Sequence, residues 1–239
     1  IFALERGTDL AVTNGGTGNF YGIYDPNYLK PSASQVGFMW RTMYQIIGKA
    51  NEIIAAAEDL EDTPSLRATV SEAKCFRAQS YFLLYRTFDR IWLNIQPTTA
   101  ENVNDPRDFH AASEKEVFDL IYEDLEYAIT NLDWVSDEAG RFTQAAARHM
   151  KAKAALWLKD WDTTLEQVEE IEKSGHFDLI ALNEVFNARD LNHKEALMVQ
   201  QWSKNPGGNL SNATPKGNYY AAYFIAQYRT EIGGTAEYA

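Results

Sequence analysis

The chain has 239 residues, 45% of them hydrophobic and 13% aromatic, a composition typical of an ordered globular protein. Twenty-two Lys and Arg against 34 Asp and Glu give a net charge of −12, which opposes binding to nucleic acid or to an anionic lipid surface. A single cysteine, Cys75, excludes an internal disulfide and any multi-cysteine metal site.

Residues 1–37 are rich in Gly, Asn, Pro and aromatic residues with little periodic pattern, which predicts a long ordered loop. From Phe38 onward apolar residues recur at helical spacing. Stripes of this kind, with the signals at their ends, predict five helices at 38–60, 65–88, 114–132, 144–158 and 161–174.

Capping residues place the ends of several of these helices. Thr63 is a predicted N-cap followed by Pro64, and Thr143 is another. Ser113 and Glu116 form a predicted capping box, in which each side chain satisfies an otherwise unpaired backbone donor. Gly175 follows the fifth helix at the position that favours a left-handed C-cap.

The segments between and after the helices are predicted to be irregular. Residues 89–112 show no helical period, and the helical pattern stops beyond residue 176. The stretch "EALMVQQW" at 195–202 indicates either a short strand or an extended segment, and a loop follows it.

Short connections predict antiparallel packing of neighbouring helices, and successive pairs of this kind stack into a superhelix. The segment "ALWLKDWDTTLEQVEEI" has the small residues, turn and aromatic knob of a tetratricopeptide unit. The predicted fold class is therefore all-α, a tetratricopeptide-like superhelix of antiparallel helix pairs with long loops.

The segment "SEAKCFRAQSYFLLYRTF", residues 71–88, is apolar nearly all round and yet contains Arg77 and Arg86. An inner helix of a superhelix is covered on several sides, so a buried guanidinium there must be paired with a carboxylate. We therefore predict that Arg77 is buried and paired. The alternative is that Arg77 or Arg86 binds an anionic ligand.

This same segment resembles the signature helix of the SusD/RagB family, with a basic residue and an aromatic residue closing the pattern at Arg86 and Phe88. "FMWRTMYQIIGKANEII" resembles the family's preceding helix, and "GRFTQAAARHMKAKAALWLKDW" resembles a later one. The ordered series covers about residues 36–202. It departs from the family at "FDRIWLNIQP", where the turn after the signature helix must differ.

The resemblance implies a non-catalytic, surface-exposed outer-membrane lipoprotein of Bacteroidetes that captures oligosaccharides or, in some members, peptides. It implies delivery of the ligand to a TonB-dependent, SusC-like transporter. The membrane attachment would be an N-terminal lipid outside this chain, which we expect to be a fragment of a longer one. Within residues 1–239 we expect one SusD-like domain with a ligand-side segment at 1–37, a helical-repeat core at 38–175 and an extended region at 176–239.

A sugar site needs flat aromatic faces and planar polar side chains on loops held by a rigid scaffold. The segment "NFYGIYDPNY" has this composition, and in the family the region before the Trp-Tyr helix contributes to the ligand site. The candidate glycan-binding residues are Asn19, Tyr21, Tyr24, Asp25, Asn27, Tyr28, Trp92 and Trp202.

Motifs for catalysis or metal binding are missing from the sequence. The histidines at 110, 149, 176 and 193 show no metal-ligand spacing, and Glu169, Glu170 and Glu172 are interpreted as a solvated helix face. We expect no catalytic residue, no metal and no cofactor. Two other functions remain open, a tetratricopeptide-type adaptor for a protein or peptide and, less favoured, a glycoside hydrolase.

Overall fold

The computed structural model describes residues 34–106, 109–185 and 192–199. These ranges contain the helices α1 (Ser34–Ala57), α2 (Pro64–Phe88), α3 (Glu114–Asn131), α4 (Gln144–Leu158), α5 (Trp161–Lys173) and the single-turn α6 (Leu182–Val185). They contain no strand, and the all-α prediction is confirmed.

Each of the first four helices packs against the next along the chain, and α2 also touches α4. The contacts between α2 and α3 show their relative direction. Arg77 on α2 bonds Asp124 on α3. Tyr85, which is later in α2, packs on Phe118, which is earlier in α3. The neighbouring helices α2 and α3 are therefore antiparallel, as the superhelix prediction requires.

The predicted caps form the expected hydrogen bonds. Thr63 accepts from the Leu66 N–H, and Thr143 accepts from the Ala146 N–H. Ser113 and Glu116 form the complete capping box. After α5, Gly175 has a φ of 69°, the left-handed conformation in which the lack of a Cβ removes the steric penalty.

The α1 helix differs most from its predicted bounds. It begins at Ser34, four residues before the predicted start at Phe38, because its first turn carries no apolar stripe to reveal it. It ends at Ala57, three residues before the predicted end at 60. There the Glu58 and Leu60 N–H groups bond carbonyls three residues back, a tightened turn instead of another helical one.

The core lies between α2, α3 and α4 and is built from apolar side chains of all four leading helices. Small residues let α4 approach closely, because Ala145, Ala147, Ala154 and Ala155 are fully buried. Larger core side chains with no exposure are Ile47, Val117, Tyr81 and Leu84. The inner position of α2 explains why its sequence is apolar on several sides.

The segment after α5 has little regular structure. Apart from α6, residues 176–185 are irregular, and residues 192–199 form no strand. The 195–199 part of "EALMVQQW" is therefore not a strand, and residues 200–202 lie outside the described ranges. Of the predicted loop at 1–37, residues 34–37 instead form the first turn of α1 and residues 1–33 lie outside the described ranges. The single-domain division stays a prediction.

Candidate functional site

A charged cluster lies at the centre of the helices. The Asp124 carboxylate has no exposure, and its Oδ1 accepts from Lys74 Nζ at 2.8 Å and from Arg77 Nη2 at 2.7 Å. Its Oδ2 accepts from Arg77 Nε at 2.7 Å. Two cations therefore share one carboxylate, and charge-assisted hydrogen bonds of this geometry are the strong ones.

Asn51 on α1 extends this cluster to the loop that follows α2. Its Oδ1 accepts from Arg77 Nη1 at 2.8 Å, and its Nδ2 donates to the Asn94 carbonyl at 2.7 Å. The Lys74 ammonium also lies 5.2 Å from the centre of the Tyr127 ring, a cation–π distance. Three helices and one loop are thus joined through a continuous polar network.

This network is structural. Both oxygens of Asp124 are engaged, and Arg77 is buried, so neither group can reach a soluble substrate. The prediction of a buried, paired Arg77 is confirmed, and the alternative of ligand binding is wrong for this arginine. Cys75 is also buried, and that burial raises the pKa of its thiol, which keeps it protonated and unreactive.

The loop after α2 is held by two tyrosine hydroxyls. Tyr81 donates to the Asn94 carbonyl and accepts from the Asn94 N–H, both at 2.8 Å. Tyr44 donates to the Trp92 carbonyl at 2.7 Å and accepts from the Trp92 N–H at 3.0 Å. Burial raises the pKa of both tyrosines, so both hydroxyls stay protonated and able to donate.

Trp92 belongs to an aromatic cluster, defined here as Trp40, Tyr44, Phe88, Trp92 and Phe109. The Trp92 ring is stacked 6.3 Å from Tyr44 and lies 4.9 Å from Phe109, between centroids. Trp40 contacts both Tyr44 and Phe88. Phe109 is 70% exposed, so the cluster reaches the surface, and Tyr44 holds the backbone of Trp92 in place.

Of the predicted site residues, the structure describes Trp92 alone. It is half-buried, and it is both a packing residue and a surface ring. The others lie outside the described residues, namely Asn19, Tyr21, Tyr24, Asp25, Asn27, Tyr28 and Trp202. Sequence reasoning missed Phe109, Asn51 and Lys74. The polar residue Asp124 within the apolar stripe of α3 was the signal that could have located the partner of Arg77.

Metal-binding clusters and membrane-spanning helices are absent from the residues that the structure describes. Nowhere among them do three or more His, Cys, Asp or Glu side chains gather closely enough to hold a metal ion. Within the same ranges, each helix is too short or too polar to cross a bilayer.

Antiparallel helix pairs that fix an aromatic loop define a helical-repeat scaffold. The chain belongs to the SusD-like family, whose model, described as starch-binding and associating with the outer membrane, matches residues 6–156. Recognition of this family from the sequence is thereby confirmed.

Individual relatives agree with this assignment. A SusD-like protein of Bacteroides ovatus is 26% identical over 212 residues, covering 78% of this chain and 38% of the relative. SusD-like protein P38 of Formosa agariphila is 28% identical over 156 residues, covering 64% of this chain and 29% of the relative. The chain therefore spans less than two fifths of the length of these relatives.

Solved structures show the same fold. A SusD-like carbohydrate-binding protein from Bacteroides fragilis matches with a TM-score of 0.62 at 22% identity, over 69% of this chain and 32% of its own. A structure solved with a xylogluco-oligosaccharide matches with a TM-score of 0.60 at 25% identity, over 70% of this chain and 35% of its own.

Proposed function

We propose that this protein binds glycans at the cell surface and delivers oligosaccharides to a TonB-dependent outer-membrane transporter, without catalysing their cleavage. The observation that supports this most is the family match over residues 6–156. The relative solved with a xylogluco-oligosaccharide adds a sugar ligand to the same helical scaffold.

The aromatic cluster supports carbohydrate as the ligand. Rings offer flat faces to the C–H surfaces of sugars, and they bind without much loss of conformational freedom. Hydroxyl hydrogen bonds from α1 and α2 tie the backbone of Trp92 and Asn94, and the Phe109 ring contacts the Trp92 ring. A preorganised ring of this kind is what a sugar-binding subsite needs.

The proposed location is the outer membrane, with the protein exposed as a lipoprotein and seated on a SusC-like transporter. The family description, which includes association with the outer membrane, favours this location. The contact with the transporter follows from the family resemblance. Co-purification of the complete protein with its transporter from detergent-solubilised outer membranes tests it, and recovery of the protein alone would contradict it.

Affinity electrophoresis of the complete protein through gels containing different polysaccharides tests the glycan proposal. We expect retardation by at least one neutral or acidic polysaccharide and none by a gel without polysaccharide. Failure to be retarded by any member of a broad panel would contradict the proposal.

Product analysis distinguishes binding from hydrolysis. We expect the bound polysaccharide to be recovered at its original length after long incubation with the protein. Release of oligosaccharides, abolished by substitution of one carboxylate, would establish a hydrolase instead.

The tandem helix pairs favour a second candidate, an adaptor that binds a protein or peptide. A helical-repeat groove can bind an extended segment as well as it can present a sugar site. Under this alternative the complete protein would pass through all polysaccharide gels unretarded and would bind a peptide with a defined stoichiometry.

A further inference from the structure

A half-open cleft of about 110 Å³ lies between α2, α3 and α4. Its apolar lining includes Ala78, Ile121 and Leu125. Its polar lining groups are Gln79 and Arg86 on α2 and Lys153 on α4. An apolar lining with a few polar groups is the usual chemistry of a small ligand site.

The charge of this cleft is entirely positive. No Asp or Glu lines it, and neither Arg86 nor Lys153 forms an ion pair with any residue of the described ranges. Other cations of the described ranges, among them Lys49, Arg67 and Lys151, do have a carboxylate partner. Two unneutralised cations around one cavity create a local field that attracts an anion.

Arg86 is held in position by an aromatic ring. Its guanidinium carbon lies 4.3 Å from the centre of the Phe82 ring, and Phe82 also lines the cleft. Stacking of this kind fixes the plane of the guanidinium and leaves its N–H edges free for a bidentate contact. Partial burial lowers the pKa of Arg86, a shift to which no nearby carboxylate contributes.

The edge of the cleft carries a further exposed ring. Trp157 on α4 is 49% exposed and meets Phe82 edge to face at 6.4 Å between centroids. The cleft therefore has two cations and one amide in its lining, and the Trp157 indole lies against its lining residue Phe82. A planar anion on a ring with apolar C–H faces matches this set of groups.

We propose that this cleft binds the carboxylate of an acidic oligosaccharide, a uronic acid unit, through Arg86 and Lys153. Gln79 is placed to bond a sugar hydroxyl, and Trp157 offers a face to the sugar ring. This inference rests on the proposed function and narrows its ligand class. Charge complementarity is what selects an acidic sugar over a neutral one here.

Calorimetric titration of the complete protein with an oligogalacturonide tests the inference, using its fully methyl-esterified form as the matched ligand. The two ligands share one sugar backbone and differ in charge. We expect the acidic form to bind about tenfold or more tightly than the ester, since a hydrogen-bonded charge pair is worth that much.

Two variants locate the interaction. Arg86→Gln and Lys153→Gln should each weaken binding of the acidic form about tenfold while leaving binding of the ester unchanged. The matched control is Lys49→Gln, which removes an exposed cation of α1 that pairs with Glu52 outside the cleft. It should leave both affinities unchanged. Arg86→Lys keeps the charge but loses the bidentate edge, and it should weaken the acidic form by a smaller factor.

Each of the following results would overturn the inference. Equal affinity for the acid and the ester removes the charge selectivity, and full affinity in Arg86→Gln and Lys153→Gln places any acidic site elsewhere. Equally tight binding of poly-glutamate through the same residues would assign the cleft to an acidic peptide. Binding of neutral glycans without any acid preference would refute this cleft and keep the proposed function. Failure of every glycan to bind would refute both.

Discussion

Asp124 is wholly buried and carries a charge that an apolar interior would not tolerate alone. Its hydrogen bonds from Arg77 and Lys74 offset the loss of water, and Asn51 satisfies the remaining Arg77 donor group. Such a cluster is weak support for net stability, because desolvation cancels much of the attraction. Its value lies in specificity, since only one register of α1, α2 and α3 brings these groups together.

Removal of one cation from this cluster should be costly. We expect Arg77→Ala to lower the free energy of unfolding by about 3 kcal/mol, because it leaves Asp124 and Asn51 with unsatisfied groups in the interior. Urea unfolding followed by circular dichroism measures the change.

The matched control is Arg67→Ala, which breaks an exposed α2 pair with Asp62. Its cost should stay below about 1 kcal/mol, as for other surface pairs. Equal effects of the two substitutions would show that the Arg77 network contributes no more than a surface contact.

A second prediction for a single residue concerns the hydroxyl of Tyr44. Tyr44→Phe removes the bonds to the Trp92 N–H and carbonyl while keeping the ring contacts. We expect a loss of about 1–2 kcal/mol and faster hydrogen exchange at the Trp92 amide, since two backbone groups lose their partner. Tyr85→Phe is the control, because its hydroxyl bonds only the exposed Glu114. Unchanged exchange at Trp92 would contradict the role given to Tyr44.

For interactions between individual side chains, the sequence revealed one partner and rarely both. Arg77 could be predicted as buried because it lies on an apolar face of α2. Asn51 and Tyr44 could not, since they bond loop residues more than 40 positions away. Such contacts depend on how the helices pack, and a local sequence pattern does not predict that packing.

Helix boundaries follow the chemistry of the caps. Each of α2, α3 and α4 begins after a Thr or Ser whose side chain accepts from the backbone N–H three residues later. For these helices the predicted and observed starts differ by no more than one residue. The α4–α5 connection is also local, with Lys159 at a φ of 60° and Asp160 capping α5. No Thr or Ser cap directly precedes the predicted start of α1 at Phe38. Its predicted start was wrong by four residues and its predicted end by three.

The capping box of α3 gives a prediction that can be measured by titration. Hydrogen bonds from the Ser113 hydroxyl and N–H lower the pKa of Glu116 below its ordinary value. A carboxylate with a lower pKa in the folded chain adds stability above its unfolded-state pKa. That contribution is lost as the pH falls through the folded-state pKa.

Ser113→Ala should therefore raise the pKa of Glu116 toward its ordinary value and reduce stability at neutral pH by about 1 kcal/mol. Titration followed by NMR at the Glu116 side chain measures the first effect, and urea unfolding measures the second. Thr130→Ala in the last turn of α3 is the control, because its hydroxyl only bonds a carbonyl of its own helix. An unchanged Glu116 pKa in Ser113→Ala would refute the capping box as its cause.

For the whole molecule, the scaffold could be predicted and the ligand could not. Helical stripes and caps are local, so the stack of α1 to α5 follows from the sequence. Ligand identity depends on side chains from distant segments that meet at a surface, such as Trp92 with Phe109 and Arg86 with Lys153. The chain also spans less than two fifths of the length of these relatives.

The stretch "NFYGIYDPNY" remains the predicted location of a stacking ring, because it concentrates aromatic and amide side chains just before α1. Truncation of a stacked ring should remove about 1–2 kcal/mol of binding free energy, a five- to thirty-fold loss of affinity, and leave the fold intact. Calorimetric titration of Tyr21→Ala, Tyr24→Ala and Tyr28→Ala with a bound oligosaccharide measures this loss, and melting curves report stability. If the rings instead hold their own segment together, affinity and melting temperature should fall in step. Unchanged affinity in all three variants would remove this segment from the site.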